Sequence, residues 1–192
     1  MNYKTVAEEK KCIRTKFLHY LFALAQILLG SIILGIMAQV AIPLPYTPVP
    51  MTLQTLAVAL LAISLGSTKA PLAIIAYLVQ ATAGLPVLAG GVVNPLWMVG
   101  PRAGYLLTCI FTSFLVAKLL ERFKPVSFIK TGLILSLNEL CILFIGSLWL
   151  GHFVGWENAF SMGVLPFLPA AVVKVMVATT SYRPVQWVKE QR

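Results

Sequence analysis

The chain has 192 residues, of which 59% are hydrophobic and only 11% charged, whereas soluble globular domains carry roughly 25% charge. This composition excludes an ordinary soluble domain and points to an integral membrane protein, read as one transmembrane domain over 1–192 because short connections separate its long apolar runs. The net charge of +9 would suggest nucleic acid in a soluble protein, but the basic residues cluster at segment ends. They read as a topology signal, and no nucleic-acid partner is expected.

Residues 1–19 form a basic tail with Lys4, Lys10, Lys11, Arg14 and Lys16. The apolar run Tyr20–Ala41 follows, long enough at 1.5 Å per residue to cross a hydrocarbon core of about 30 Å. It has no convincing small-residue cleavage site, so it reads as a retained first helix and not a removed signal. Its small residues include a small-xxx-small pair at Ser31 and Gly35, with Ala38 beyond. That pattern fits either packing within this chain or docking of a separate subunit.

Next comes Ile42–Thr55, IPLPYTPVPMTLQT, which carries no charge. Prolines 43, 45, 48 and 50 remove amide donors and push their preceding residues out of the helical region, so the chain must be extended here. In a membrane protein such a break lies outside the bilayer or against protein or a water-filled cavity, which makes it a candidate wall of a binding site. The apolar segments Met51–Leu65 and Pro71–Ala83 are parted by GSTK, with Gly66 as a plausible helix cap. Both are short for spanning helices, and short helices beside Gly/Pro breaks are a pointer to a membrane binding site.

The connection Gly84–Pro101 holds four glycines and three prolines, too many for a regular helix. Its Leu85, Val87, Leu88, Leu96, Trp97 and Met98 make it too apolar for a solvated loop, so it is expected to fold back as a lid. Ala103–Leu120 is a fourth span, ending in Lys118, Arg122, Lys124 and Lys130. Ile129–Gly151 is a fifth, with Asn138 and Glu139 inside it. A polar connection with His152, Trp156 and Glu157 leads through an amphipathic stretch to the sixth span, Pro166–Thr180.

Six spans put both termini on one side. The N-tail, the turn near Lys69, the 118–130 region and the C-tail, 183–192, hold thirteen of the fifteen basic residues, which places both termini in the cytoplasm. The proline hinge, the glycine-rich loop and the 151–165 connection then share the outer face.

The chain has no aspartate, two distant histidines and no Walker-type phosphate loop, which leaves catalysis little to work with. Three scattered cysteines, Cys12, Cys109 and Cys141, imply no disulfide frame or metal site. Lys174 lies two turns into the last segment, where facing lipid would cost about 2.5–3.5 kcal/mol, so it should face the interior. A helix start near Pro169 adds partial positive charge close by. Arg102 opens the fourth span and serves as either a carboxylate fork or an interfacial anchor. Glu139 is either paired with a cation or protonated, with a structural pair favoured. Gln54, Gln80 and Asn94 suit an amide-like or urea-like ligand, or bridge helices. Trp97, Tyr46, Tyr105, Trp149 and Trp156 are read by default as aromatic-belt residues.

The runs IPLPYTPVPMTLQT, GLPVLAGG, GPRAGYLL, GSLWLG and GVLPFLP, with a lysine five residues on, resemble the BioY family over roughly residues 20–180. These are biotin-specific substrate-binding (S) components of energy-coupling factor (ECF) transporters. The resemblance implies an all-α membrane protein of six transmembrane helices with an S-component-like fold. It would bind biotin from outside, and its partners would be a transmembrane coupling subunit and two cytoplasmic ATPases. The first helix in such proteins carries small residues for docking the coupling subunit, a role for Ser31, Gly35 and Ala38 here. The substrate site would draw on Lys174, Arg102, Asn94, Gln54, Gln80, Tyr105 and the paired glycines Gly90 and Gly91, with no catalytic residues, metal or cofactor.

The chain departs from the family pattern in the last motif and at two further positions. The last motif, PGDxxK in the family, runs Pro169, Ala170, Ala171, Val172, Val173, Lys174 here, so the lysine is present and the acid is not. Val92 stands where a basic residue is common after the paired glycines, and Arg102 where threonine is usual. Arg102 is therefore expected to supply the displaced charge, and Asn94, Gln54 or Gln80 the ureido contact. The resulting expectation is a multi-pass cell-membrane protein for biotin uptake. The alternatives are an S component for another carboxylate-bearing vitamin, a membrane-embedded enzyme, or a purely structural subunit.

Overall fold

The computed structural model describes the backbone of residues 3–123 and 127–190, with side chains at 14–123, 127–182 and 185–186. Cys12 and the basic side chains of Lys4, Lys10, Lys11, Lys124, Arg183, Lys189 and Arg192, which carry part of the topology reading, lie outside the described residues. The α-helices are α1 (Tyr3–Gln39), α2 (Gln54–Thr82), α3 (Ala103–Arg122), α4 (Phe128–Val154), α5 (Trp156–Gly163) and α6 (Leu168–Glu190). Between α1 and α2 lie two short strands, β1 (Ala41–Ile42) and β2 (Met51–Thr52).

By length and apolar composition, five stretches are able to cross a membrane: Arg14–Gln39, Gln54–Thr82, Ala103–Arg122, Phe128–Val154 and Trp156–Tyr182. The sequence predicts six, because it splits 54–82 at GSTK. The stretch Gln54–Thr82 forms one element, but its backbone leaves helical geometry at Gly66, so α2 is not a straight rod. Gly66 has φ 79° and ψ −177°, a left-handed conformation that a residue with a Cβ rarely adopts. The Gln54 amide donates to the Tyr77 hydroxyl at 2.9 Å, although 23 residues on a straight helix would separate them by about 35 Å. The element therefore doubles back at Gly66, and its limbs, 54–65 and 67–82, lie side by side. Glu121 of α3 holds the bend, accepting from the Ser67 amide at 2.9 Å and the Ser67 hydroxyl at 2.8 Å.

The helix expected from Tyr20 starts at Tyr3. Its first turns, YKTVAEEKK, are rich in Ala, Glu and Lys, which favour helix without any packing. The proline hinge is extended, as its four prolines require. Ala41 pairs with Thr52 and Ile42 with Met51 in an antiparallel hairpin, and the prolines occupy the connection between them, where no ladder hydrogen bond is lost.

Helix α2 packs against both α1 and α3, α3 against α4, and α4 against α5 and α6, while α6 also returns to α2. One apolar cluster, including Tyr77, Trp97, Tyr105, Ile142, Leu150 and Phe167, fills the half nearest the hinge and the 84–101 loop. A second, including Leu56, Ile63, Val116, Leu120, Leu135 and Tyr182, fills the other half. Leu24, Leu28, Ile32 and Ile36 on α1, Phe111 on α3, Phe144 on α4 and Met176 on α6 face outward. Apolar side chains on the outside are what a bilayer solvent demands.

Two sequence expectations are corrected here. Ser31, Gly35 and Ala38 do not present a docking face, because all three are buried against this same chain. The Ser31 hydroxyl accepts from Gln80 at 3.0 Å, and a Cβ on neighbouring Gly30 would lie 3.0 Å from both Ala73 and Leu65. Gly30 and Ser31 let α2 approach α1, as small residues do between helices of one bundle, while Gly35 lies against Val87 of the 84–101 connection. Trp97 and Tyr105 are likewise not belt residues, since both are buried in the hinge-side cluster.

Candidate functional site

The 84–101 connection folds back only in part: Leu88 and Trp97 are buried and Val87 half-buried, whereas Leu85, Leu96 and Met98 are exposed. It makes two 3₁₀ turns, Ala89–Gly91 and Trp97–Val99, and the Trp97 indole donates to the Thr82 hydroxyl at 3.0 Å. Gly90 and Gly91, both at φ 72°, turn the backbone so that Leu88 and Ala89 point inward. Opposite this loop, the hinge presents Pro48, Val49 and Pro50. Between the two lies a cavity of about 310 Å³, at the lower end of the range for small-molecule sites.

One face of α3 forms a wall. Arg102, Tyr105, Leu106 and Cys109 line the cavity at the i, i+3, i+4, i+7 spacing that places side chains on one helical stripe. That stripe runs down about 10 Å from Arg102 to Cys109. Arg102 is half-buried beside the hinge, and its Nε donates to the Pro48 carbonyl at 3.3 Å. Burial pulls the guanidinium below its ordinary pKa, yet an arginine stays cationic in proteins.

The inner end is built from three helices. Lys174 of α6 donates from Nζ to the Thr55 hydroxyl of α2 at 2.9 Å. The same hydroxyl is in hydrogen-bonding reach of the Glu139 carboxylate on α4, which also lies in the field of Lys174. Lys174 is 8% exposed and Glu139 4%. One hydroxyl thus bridges the amine and the carboxyl group, a paired set where an isolated charge would be prohibitively costly. Among the described residues, Glu139 Oε1 has no hydrogen-bond partner, and neither do the two side-chain polar atoms of Asn138.

Five of the residues expected at the substrate site come together on this cavity, Lys174, Arg102, Asn94, Gln54 and Tyr105, and Glu139 and Trp97 line it as well. Gln54 spends its amide N–H on Tyr77 and accepts from Thr52 at 3.2 Å. Asn94 accepts from the Leu96 amide at 3.1 Å. The Tyr105 hydroxyl donates to the Gly163 carbonyl at 2.9 Å, leaving its ring to face the cavity. Gly90 and Gly91 shape the loop between two lining residues, Ala89 and Val92, without lining it themselves. Gln80 is elsewhere, bridging α2 to α1 through Ser31.

Sequence reasoning passed over Thr55, Phe167, Cys109 and the cavity position of Glu139. The signal for Glu139 was an acid inside an apolar segment, which favours a cation partner but does not say which face of the helix it takes. Among the described residues no group of three or more His, Cys, Asp or Glu side chains is placed to hold a metal ion.

A helical protein with an apolar exterior and a cavity that sets a few polar and charged groups among apolar walls is a membrane-embedded small-molecule-binding protein. Residues 9–190 match the family model described as BioY family. The chain is 35% identical over 161 residues to the biotin transporter BioY2 of Lactococcus lactis subsp. cremoris, covering 83% of this chain and 87% of that protein. It is 31% identical over 167 residues to the biotin transporter BioY of Rhizobium etli, covering 82% and 89%. Its fold is similar to that of the S-component for biotin from an ECF-type ABC transporter, solved by crystallography, with a TM-score of 0.80 at 24% identity, covering 88% of this chain and 92% of that one. The chain belongs to the BioY family. It is a multi-pass membrane transport protein and not an enzyme.

Proposed function

We propose that this chain binds biotin in the roofed cavity and serves as the S component of an energy-coupling factor transporter. The observation that carries the reading is the separation of charge: Arg102 stands at the mouth and the Lys174–Thr55–Glu139 set about two helical turns further in. Biotin is polar at two ends, with a carboxylate on a flexible chain and a neutral ureido ring. The carboxylate suits Arg102, where a fork of donors meets it and solvent still screens the charge. The ureido ring suits the inner end, where an added anion would face Glu139 and need costly desolvation. Leu106, Phe167 and the Tyr105 ring supply apolar surface between the two ends. In this reading Arg102 supplies the positive charge that family members carry near Val92.

Energy must come from elsewhere, since the sequence holds no phosphate-binding loop. We infer a coupling subunit and two ATPase subunits as partners, consistent with the ECF-type context of the fold relative. We also infer six membrane crossings with both termini cytoplasmic. The fold-back of α2 at Gly66 and the alternation of basic residues along the chain support that topology.

Calorimetric titration of the detergent-purified chain tests the reading. Biotin is expected to bind, biotinamide to bind about tenfold or more weakly, and Arg102→Gln to remove most of that difference. Saturable binding of a different carboxylate-bearing vitamin in place of biotin would redirect the specificity, and no small-ligand binding by folded protein would end the proposal.

A further inference from the structure

Glu139 is the acidic member of the inner end, and half of its hydrogen-bonding capacity is unspent among the described residues. Its carboxylate lines the cavity, it is 4% exposed, and Oε1 meets no donor among the described residues. An ionised oxygen buried without a donor is among the costlier arrangements in a protein. Its surroundings account for half of its capacity. Thr55, from α2, has a single hydroxyl proton, and because that oxygen already accepts from Lys174 the proton is free for one carboxylate oxygen. Cys109, from α3, is turned to its own helix, with Sγ on the Tyr105 carbonyl at 3.2 Å. Lys174, from α6, has three protons, only one of which is used by Thr55.

The inner end thus offers a vacant carboxylate acceptor beside spare ammonium donors. That pair is complementary to a ring edge in which an N–H adjoins a carbonyl. We propose that Glu139 is a specificity-determining ligand contact, whose Oε1 accepts an N–H from a cyclic urea while Lys174 donates to the carbonyl beside it. This rests on the biotin reading above and adds to it the residue that demands a free N–H. The site then selects against ligands of the same size and charge whose ring nitrogen is blocked. The competing role is that of a counter-charge to Lys174, with no ligand contact.

Titration of the full chain in detergent with biotin and with each biotin isomer singly methylated on a ureido nitrogen separates the two. For the wild type, one isomer is expected to bind about tenfold or more weakly than biotin, the cost of a lost hydrogen bond to a charged group. In Glu139→Ala, biotin weakens by a similar factor and the preference over that isomer collapses, because both the acceptor and the atoms obstructing the methyl group are gone. If biotin and both isomers weaken by the same factor, Glu139 is a counter-charge and the proposal is overturned. Should the alanine protein not fold, Glu139→Gln carries the same comparison, with biotin expected to weaken more than the methylated isomer. Wild-type protein that is folded but binds no biotin would overturn the biotin reading itself, a result distinguishable from equal weakening in the variants.

Discussion

Lys174 and Thr55 are 119 residues apart in sequence and 2.9 Å apart in the structure. Their hydrogen bond joins the second turn of α6 to the start of α2, just where the proline hinge gives way to helix. The site is therefore closed by a contact between the extended segment's end and the last helix.

Removing the cation from this set is expected to cost more than the bond itself. Lys174→Met would leave Glu139 buried with an uncompensated charge, a loss of about 3–5 kcal/mol. Thermal unfolding in detergent should show a strong drop for Lys174→Met and partial recovery in Lys174→Met/Glu139→Leu, where both charges are gone. A double variant less stable than the single would show that the two residues do not compensate one another.

Gly146 sits where a Cβ would run into the Tyr105 ring. Gly146→Ala should push that ring toward the cavity, destabilising the fold by about 1–3 kcal/mol and weakening ligand binding by more than the stability loss explains. Paired titration and unfolding measurements check this. Tyr105→Leu in the same background should recover stability, because the obstructing ring is removed.

Gln80 hydrogen-bonds Ser31 across the α1–α2 contact and does not line the cavity. Gln80→Leu is therefore expected to lower stability by about 1 kcal/mol and to leave ligand affinity unchanged within about twofold. A large loss of affinity with an unchanged unfolding temperature would return Gln80 to the site.

Asn138 is fully buried, and neither of its side-chain polar atoms has a partner among the described residues. Replacing such a group by an apolar one of similar shape is near neutral or stabilising. Asn138→Leu is expected to keep or raise the unfolding temperature and to bind ligand normally. A fall in either would mean that the amide has a partner in the working protein.

Much of the architecture was legible because it follows from local rules. The prolines at 43, 45, 48 and 50 forbid helix whatever surrounds them, and the hinge is extended. The glycines and prolines of 84–101 forbid a regular helix, and the segment folds back at Leu88 and Trp97 while Leu85, Leu96 and Met98 stay exposed. Lys174 had to avoid lipid, and it points inward. The stripe Ser31, Gly35, Ala38 was legible as a close-approach surface but not as to what approaches, since small residues serve a helix of the same chain and a separate subunit equally well. Gln54 and Gln80 looked equivalent as side chains, and only one reaches the cavity.

The sequence by itself determined that this is a helical membrane protein, where its chain is broken and extended, and the family to which it belongs. Composition, proline chemistry and motif order are properties of the chain alone. The tertiary structure decided that α2 doubles back at Gly66, that the small stripe is spent internally, and that Glu139, Thr55 and Lys174 meet. Those outcomes depend on which face each helix turns toward its neighbours, and helices apolar on nearly every side carry no periodic signal to say so.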